Sequence, residues 1–128
     1  MPSGHEMISL VDDDPGVLAA NAGLLRSLGY DVKTFGSGRE LLEWSGLGDA
    51  RCVITDLMMP EIDGFELQRR LLLQGYRFPV IFLTAVTEDA ARERLRRAGA
   101  YDVLSKPCSE QRLVDCLAKA LGHYSRPQ

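Results

Sequence analysis

Asp12, Asp13, Asp56, Thr84 and Lys106 each stand at or just past the end of an apolar run. A run that stops at such a residue and then enters turn formers reads as a buried strand delivering that residue to its C-terminal tip. The clearest case is C-V-I-T-D-L-M-M-P-E-I-D-G, Cys52 to Gly64, where Asp56 closes the strand. Taken singly, an Asp here serves equally well as a turn cap. Taken together, the five residues suggest chemistry. Three clustered carboxylates cannot all stay ionised without a cation, because each raises the others' pKa. Oxygen-only ligands with room for water suit Mg²⁺, which turns a repulsive cluster into an anion-receptive one. There Asp56 would attack a phosphoryl group, Lys106 would offer a compact positive charge and Thr84 a hydroxyl donor. The chain has twelve Arg and three Lys, so a Lys at a strand end is not its default cation.

These residues meet only if the elements between them are arranged to allow it. Met7 to Val11 reads as a strand, and Asp14 followed by Pro15 caps and opens a helix that Gly29 ends, with Leu18, Asn21, Leu25 and Leu28 on one face. Asp31 to Phe35 alternates as a strand. Ser37 and Glu40 form a capping box before a short helix carrying Leu41, Leu42 and Trp44, which Gly46 and Gly48 stop. After the central strand come a helix over about 65–74, an apolar strand over 79–83 ending at Thr84 and Ala85, and a helix over about 88–98. That helix has a narrow stripe of Ala91, Leu95 and Ala98, with Glu88 and Glu93 spaced to pair with Arg92 and Arg97. Tyr101 to Leu104 makes a fifth strand closing on Ser105, Lys106 and Pro107, and Ser109 caps a last helix. Five strands alternating with five helices imply an α/β fold, a parallel sheet covered on both faces. With strand order 2-1-3-4-5 the polar strand ends converge on one pocket.

Composition bounds the rest. The 128 residues fit one domain, with a core over about 7–122 and a possible linker beginning at 123–128. A net charge of -3 gives no general pull toward nucleic acid, and no apolar run reaches the roughly 20 residues of a membrane span. Cys52, Cys108 and Cys116 lack paired spacing, and the N-terminus lacks the parts of a signal peptide, so reduced thiols and a cytoplasmic location are expected. His5 and His123 lie near the ends, so the chain reads as a phosphoryl acceptor and not as a histidine donor.

Four motifs, V-D-D-D from Val11, D-L-M-M-P-E-I-D-G from Asp56, the pair Thr84-Ala85 and the pair Lys106-Pro107, resemble the receiver domain of bacterial two-component response regulators over essentially the whole chain. The texture of F-P-V-I-F-L-T-A and S-K-P is similar to nitrogen-fixation-type regulators, which carry a LuxR-like helix-turn-helix after the receiver, and hybrid kinases carry similar receivers. The resemblance implies a flavodoxin-like, CheY-like fold and phosphorylation of Asp56 by a sensor histidine kinase or histidine phosphotransfer protein. It implies Mg²⁺ held by Asp13, Asp56 and the Met58 backbone carbonyl, with Asp12 acting through water. It also implies phosphoryl contacts from Thr84, Ala85 and Lys106, and a cis Lys106-Pro107 bond. Such receivers catalyse only their own phosphorylation and dephosphorylation, bind no nucleic acid directly, and offer a possible homodimer face of helix 88–98, strand 101–104 and helix 110–121.

In that family an aromatic residue three positions before the Lys gates the response. Here the position is Val103, and strand alternation would put Tyr101 on the same face, where it could take the role from farther away from the phosphate. The switch is therefore expected to run from Thr84 into helix 88–98. Two rivals share the chemistry or the fold. A haloacid-dehalogenase-like phosphatase needs a second acid where Met58 stands, and a flavodoxin-type carrier wants hydroxyl-rich loops where this chain has three Asp.

Overall fold

Alternation with period two divides the strand residues between the two sides of one sheet. In the computed structural model, which describes residues 6–123, the strands are β1 (Met7–Val11), β2 (Asp31–Phe35), β3 (Cys52–Asp56), β4 (Val80–Thr84) and β5 (Asp102–Ser105), all parallel in the order β2-β1-β3-β4-β5. Val11, Val53, Phe82 and Val103 join one core, whereas Leu10, Ile54, Leu83 and Leu104 join the other. Helices α2 (Gly38–Glu43), α3 (Gly64–Leu73) and α4 (Asp89–Arg97) cover the first, and α1 (Pro15–Ser27) and α5 (Glu110–His123) the second. Parallel strands buried on both faces explain why β1, β3 and β4 read as continuous apolar runs.

Local chemistry sets the helix starts. Asp14 caps α1 by accepting from Gly16 and Val17 N–H, Ser37 caps α2 through Glu40 N–H, and Asp63 caps α3 through Glu66 N–H. Each cap contributes about 1 kcal/mol. The Glu40 carboxylate reaches back to Gly36 N–H at 3.3 Å, one residue farther than a capping box requires. Between β3 and α3 the chain turns sharply. Ile62 N–H donates to the Pro60 carbonyl at 2.7 Å around Glu61, which has φ +66°, so a γ-turn seats Met59 and Ile62 in the core. Gly64 is needed next, because a Cβ there would meet Phe82 Cε1 at 2.6 Å and the Leu57 backbone at 3.0 Å.

Several expectations are corrected. Leu28 is half exposed, and Ala22 with Leu25 forms the buried face of α1, because the helix ends at Ser27 and Leu28 is its cap. Gly46 and Gly48 do not simply end α2; a 3-10 turn over Leu47–Asp49 buries Leu47. Of the expected α4 stripe only Leu95 is buried. Arg97 pairs with Glu93 at 3.5 Å as the spacing predicts, but Arg92 turns instead to Ser105 Oγ at 2.6 Å. Tyr101 lies before β5 begins, so alternation does not apply to it, and it packs against the α1/α5 core, opposite Val103. Among the described residues no helix is long and apolar enough to cross a membrane. The three cysteines are free. His5 and residues 124–128 of the expected linker lie outside the described residues.

Candidate functional site

Strand register builds the site. Val11 pairs with Thr55, so the next residues along, Asp12 and Asp56, emerge side by side at the C-terminal edge. Asp56 pairs with Leu83, and Thr84 pairs with Ser105, which places Thr84 and Lys106 on the far side of Asp56 from Asp12 and Asp13. Five residues separated by up to 94 positions thus share one edge, where ligands bind in open α/β sheets.

One oxygen from each of Asp12, Asp13 and Asp56 lies within 4.8 Å of the others. Asp12 is buried, Asp56 is partly buried and Asp13 is exposed. Lys106 Nζ donates to Asp12 Oδ2 at 2.8 Å and to Asp56 Oδ2 at 3.1 Å, joining the two least exposed carboxylates. Burial, the largest single influence, draws the ammonium pKa down, but the hydrogen bonds and charges of Asp12 and Asp56 outweigh it and the net shift is upward. Lys106 therefore stays charged at neutral pH. Backbone amides supply the remaining support. Asp14 N–H donates to Asp12 Oδ1 at 2.9 Å, and Leu57 and Met58 N–H donate to Asp56 Oδ1 at 2.7 and 3.4 Å.

Thr84 is fully buried, and its Oγ1 accepts from Val86 N–H at 3.1 Å. That contact occupies a lone pair and leaves the hydroxyl proton free to donate. The Lys106-Pro107 peptide is cis, as the resemblance implied. The donor set fits Mg²⁺: the three clustered side chains are all carboxylates, and exposed Asp13 leaves that side open to water. Ala85, Lys106 and Cys108 also line a cavity of about 510 Å³ between α1 and the start of α5. Burial raises the Cys108 thiol pKa, with Arg112 opposing, and pushes Cys116 up to about 12, so neither is poised as a nucleophile.

The sequence brought all five site residues to one edge but missed two polar neighbours. Arg92 ties α4 to the residue preceding Lys106, and buried Gln68 on α3 donates to the Ala98 carbonyl at 3.0 Å. Gln68 sits beside Leu67 within the buried stripe of α3, and a polar residue in that position was the available signal.

Comparison with known proteins agrees with this geometry. The profile described as "Response regulator receiver domain" matches residues 8–118. Response regulator protein TmoT of Ectopseudomonas mendocina is 36% identical over 121 residues, covering 94% of this chain and 55% of TmoT. The solved structure of FixJ-N superposes with a TM-score of 0.86 at 25% identity, covering 98% of this chain and 100% of that one. Vibrio cholerae chemotaxis protein CheY4 superposes with a TM-score of 0.83 at 28% identity, covering 91% of this chain and 99% of that one. The chain spans about half the length of the curated relatives it matches.

Proposed function

The chain belongs to the response regulator receiver domain family, and on that premise we propose that Asp56 accepts one phosphoryl group from a partner's phosphohistidine. As a receiver it serves two-component signalling and not metabolic catalysis. The phosphatase and flavin-carrier alternatives are not favoured: Met58 occupies the position of the second acid, and three Asp follow β1. The observation that carries the reading is the Lys106 ammonium shared between Asp12 and Asp56 beside a third carboxylate.

An Asp56 carboxylate oxygen forms the new bond to phosphorus as the donor's N–P bond breaks and the imidazole leaves with the electron pair. Lys106 exchanges its hold on the Asp56 carboxylate for an incoming phosphoryl oxygen. Thr84, whose hydroxyl proton is uncommitted, and the Ala85 N–H donate to the others. Asp13, Asp56 and the Met58 carbonyl, with Asp12 through water, would hold Mg²⁺, which neutralises charge building on the phosphoryl oxygens.

Partner and output readings follow from the family. The donor is a sensor histidine kinase or histidine phosphotransfer protein, and free cysteines suit a cytoplasmic site of action. Residues 7–122 act as one receiver domain, and the similarity to nitrogen-fixation-type regulators makes a LuxR-like helix-turn-helix one kind of output that such a receiver serves. The switched surface is the face of α4, β5 and α5. Incubation with acetyl phosphate and Mg²⁺ should add one phosphoryl mass, which Asp56→Asn or EDTA abolishes. Colourless protein with no multiple-turnover phosphatase activity completes the test. Labelling that persists in Asp56→Asn refutes it.

A further inference from the structure

We propose that Arg92 is a latch holding the first turn of α4 against the C-terminal end of β5, and that a phosphoryl group at the site releases it through Ser105; the release rests on Asp56 being the phosphoacceptor. The two ends of α4 are held differently. At the C-terminal end Leu95 is fully buried, Gln68 donates to the Ala98 carbonyl at 3.0 Å, and Arg96 pairs at 3.7 Å with Asp102, the first residue of β5. At the N-terminal end Glu88 makes no side-chain cap, and Asp89 and Ala90 are exposed. An uncapped first turn opens more readily than a pinned last one. Arg92 spans from this turn to the sheet, its Nη2 donating at 2.6 Å to the Oγ of Ser105, the last residue of β5.

That contact is only partly compensated. Its acceptor is a neutral hydroxyl, no carboxylate pairs with the Arg92 guanidinium among the described residues, and the Nε–H is buried without a partner. The hydrogen bond favours the closed latch, the stranded N–H favours the open one, and the two effects are similar in size. Two states so nearly balanced are shifted by a small push. Ser105 is placed to deliver it. Thr84 is its partner in the sheet, Lys106 is the next residue, and Lys106 N–H donates to the Thr84 carbonyl at 2.8 Å. When Lys106 Nζ passes from the Asp56 carboxylate to a phosphoryl oxygen and the Thr84 hydroxyl turns toward another, Ser105 moves with both. Val86 N–H, held by Thr84 Oγ1 at 3.1 Å, carries the same movement into the loop before α4.

Residue-resolved hydrogen exchange of the ¹⁵N-labelled full chain, first without any phosphoryl mimic, tests the latch independently of the chemistry at Asp56. Arg92→Met, which keeps the apolar stem and removes the donors, and Ser105→Ala, which removes the acceptor, should each speed exchange of the 92–94 amides by about threefold or more. Amides 98–100 at the pinned end should not change. The double variant should match either single one, because both remove the same bond; a general weakening of α4 would add instead. Beryllofluoride is then added, and the result is read once the Leu57 and Met58 amides have shifted, which separates a failed latch from a failed phosphoacceptor. Wild type should rise to the level of the variants at 92–94, and the variants should rise little further. Exchange at 92–94 unchanged in either single variant, a double variant faster than both, loosening that reaches 98–100, or a beryllofluoride response undiminished by Arg92→Met would overturn the assignment.

Discussion

Lys106 already holds the Asp56 carboxylate before any phosphoryl group arrives, so modification exchanges one anion for another at an existing cation. What would remove the phosphoryl group is a separate matter: in receivers the positions two residues after the phosphoacceptor and two after the Thr flank the attacking water, and here they hold Met58 and Val86. Met58 is 64% exposed and Val86 packs partly against the core, and neither side chain can hydrogen-bond water in line with phosphorus. Positioning is a large share of such catalysis. Met58→Asn combined with Val86→Glu should therefore speed dephosphorylation roughly tenfold, read as loss of the phosphorylated mass with time, and unchanged lifetimes would discard the argument. Asp12, Asp13, Asp56, Thr84 and Lys106 were legible because each ends an apolar run, a signal that depends on residue type and position alone. Their mutual bonds were not. Lys106 reaching Asp12 as well as Asp56 depends on a side-chain path across 94 residues, which no local pattern encodes.

We propose that the element the site moves most readily is α4. A single buried apolar side chain, Leu95, anchors it, contributing roughly 1.5–3 kcal/mol. Polar ties supply the rest: Arg92 to Ser105, Arg96 to Asp102 at 3.7 Å, Arg94 over the Phe65 ring at 4.0 Å, and Gln68 to the Ala98 carbonyl. The exposed ties among these are individually weak, so small changes at Thr84 and Ser105 can redistribute them. With Val103 in place of a ring and Tyr101 on the opposite face, no aromatic side chain on β5 is placed to gate the space behind Thr84. Hydrogen exchange with and without beryllofluoride should change over residues 86–98, and constant protection there while the site responds would exclude this route. Sequence periodicity placed α4 and its neighbours to within a residue or two. It did not see that Tyr101 precedes β5, since strand ends depend on pairing partners and not on the residue itself.

Across the whole molecule, one sheet carries two remote ends: an acidic edge for a phosphoryl group and an apolar cavity behind β4 and β5. The strand order was legible because alternating strands and helices admit few topologies, and right-handed crossovers leave fewer still. The surface between the two ends, built from α4, β5 and α5, mixes Arg96 and Arg97 with Glu110 and Asp115, so two copies can present opposite charges to each other. Sedimentation velocity should show self-association that rises on beryllofluoride treatment and falls with Arg97→Glu; association indifferent to both would exclude this face. The central claim is that a single carboxylate receives the phosphoryl group. Its most direct test is borohydride reduction of protein treated with acetyl phosphate, which converts an aspartyl phosphate to homoserine, followed by peptide mass mapping. Homoserine at position 56 alone is the predicted result, and homoserine at 12 or 13, or its absence from 56, would contradict the account.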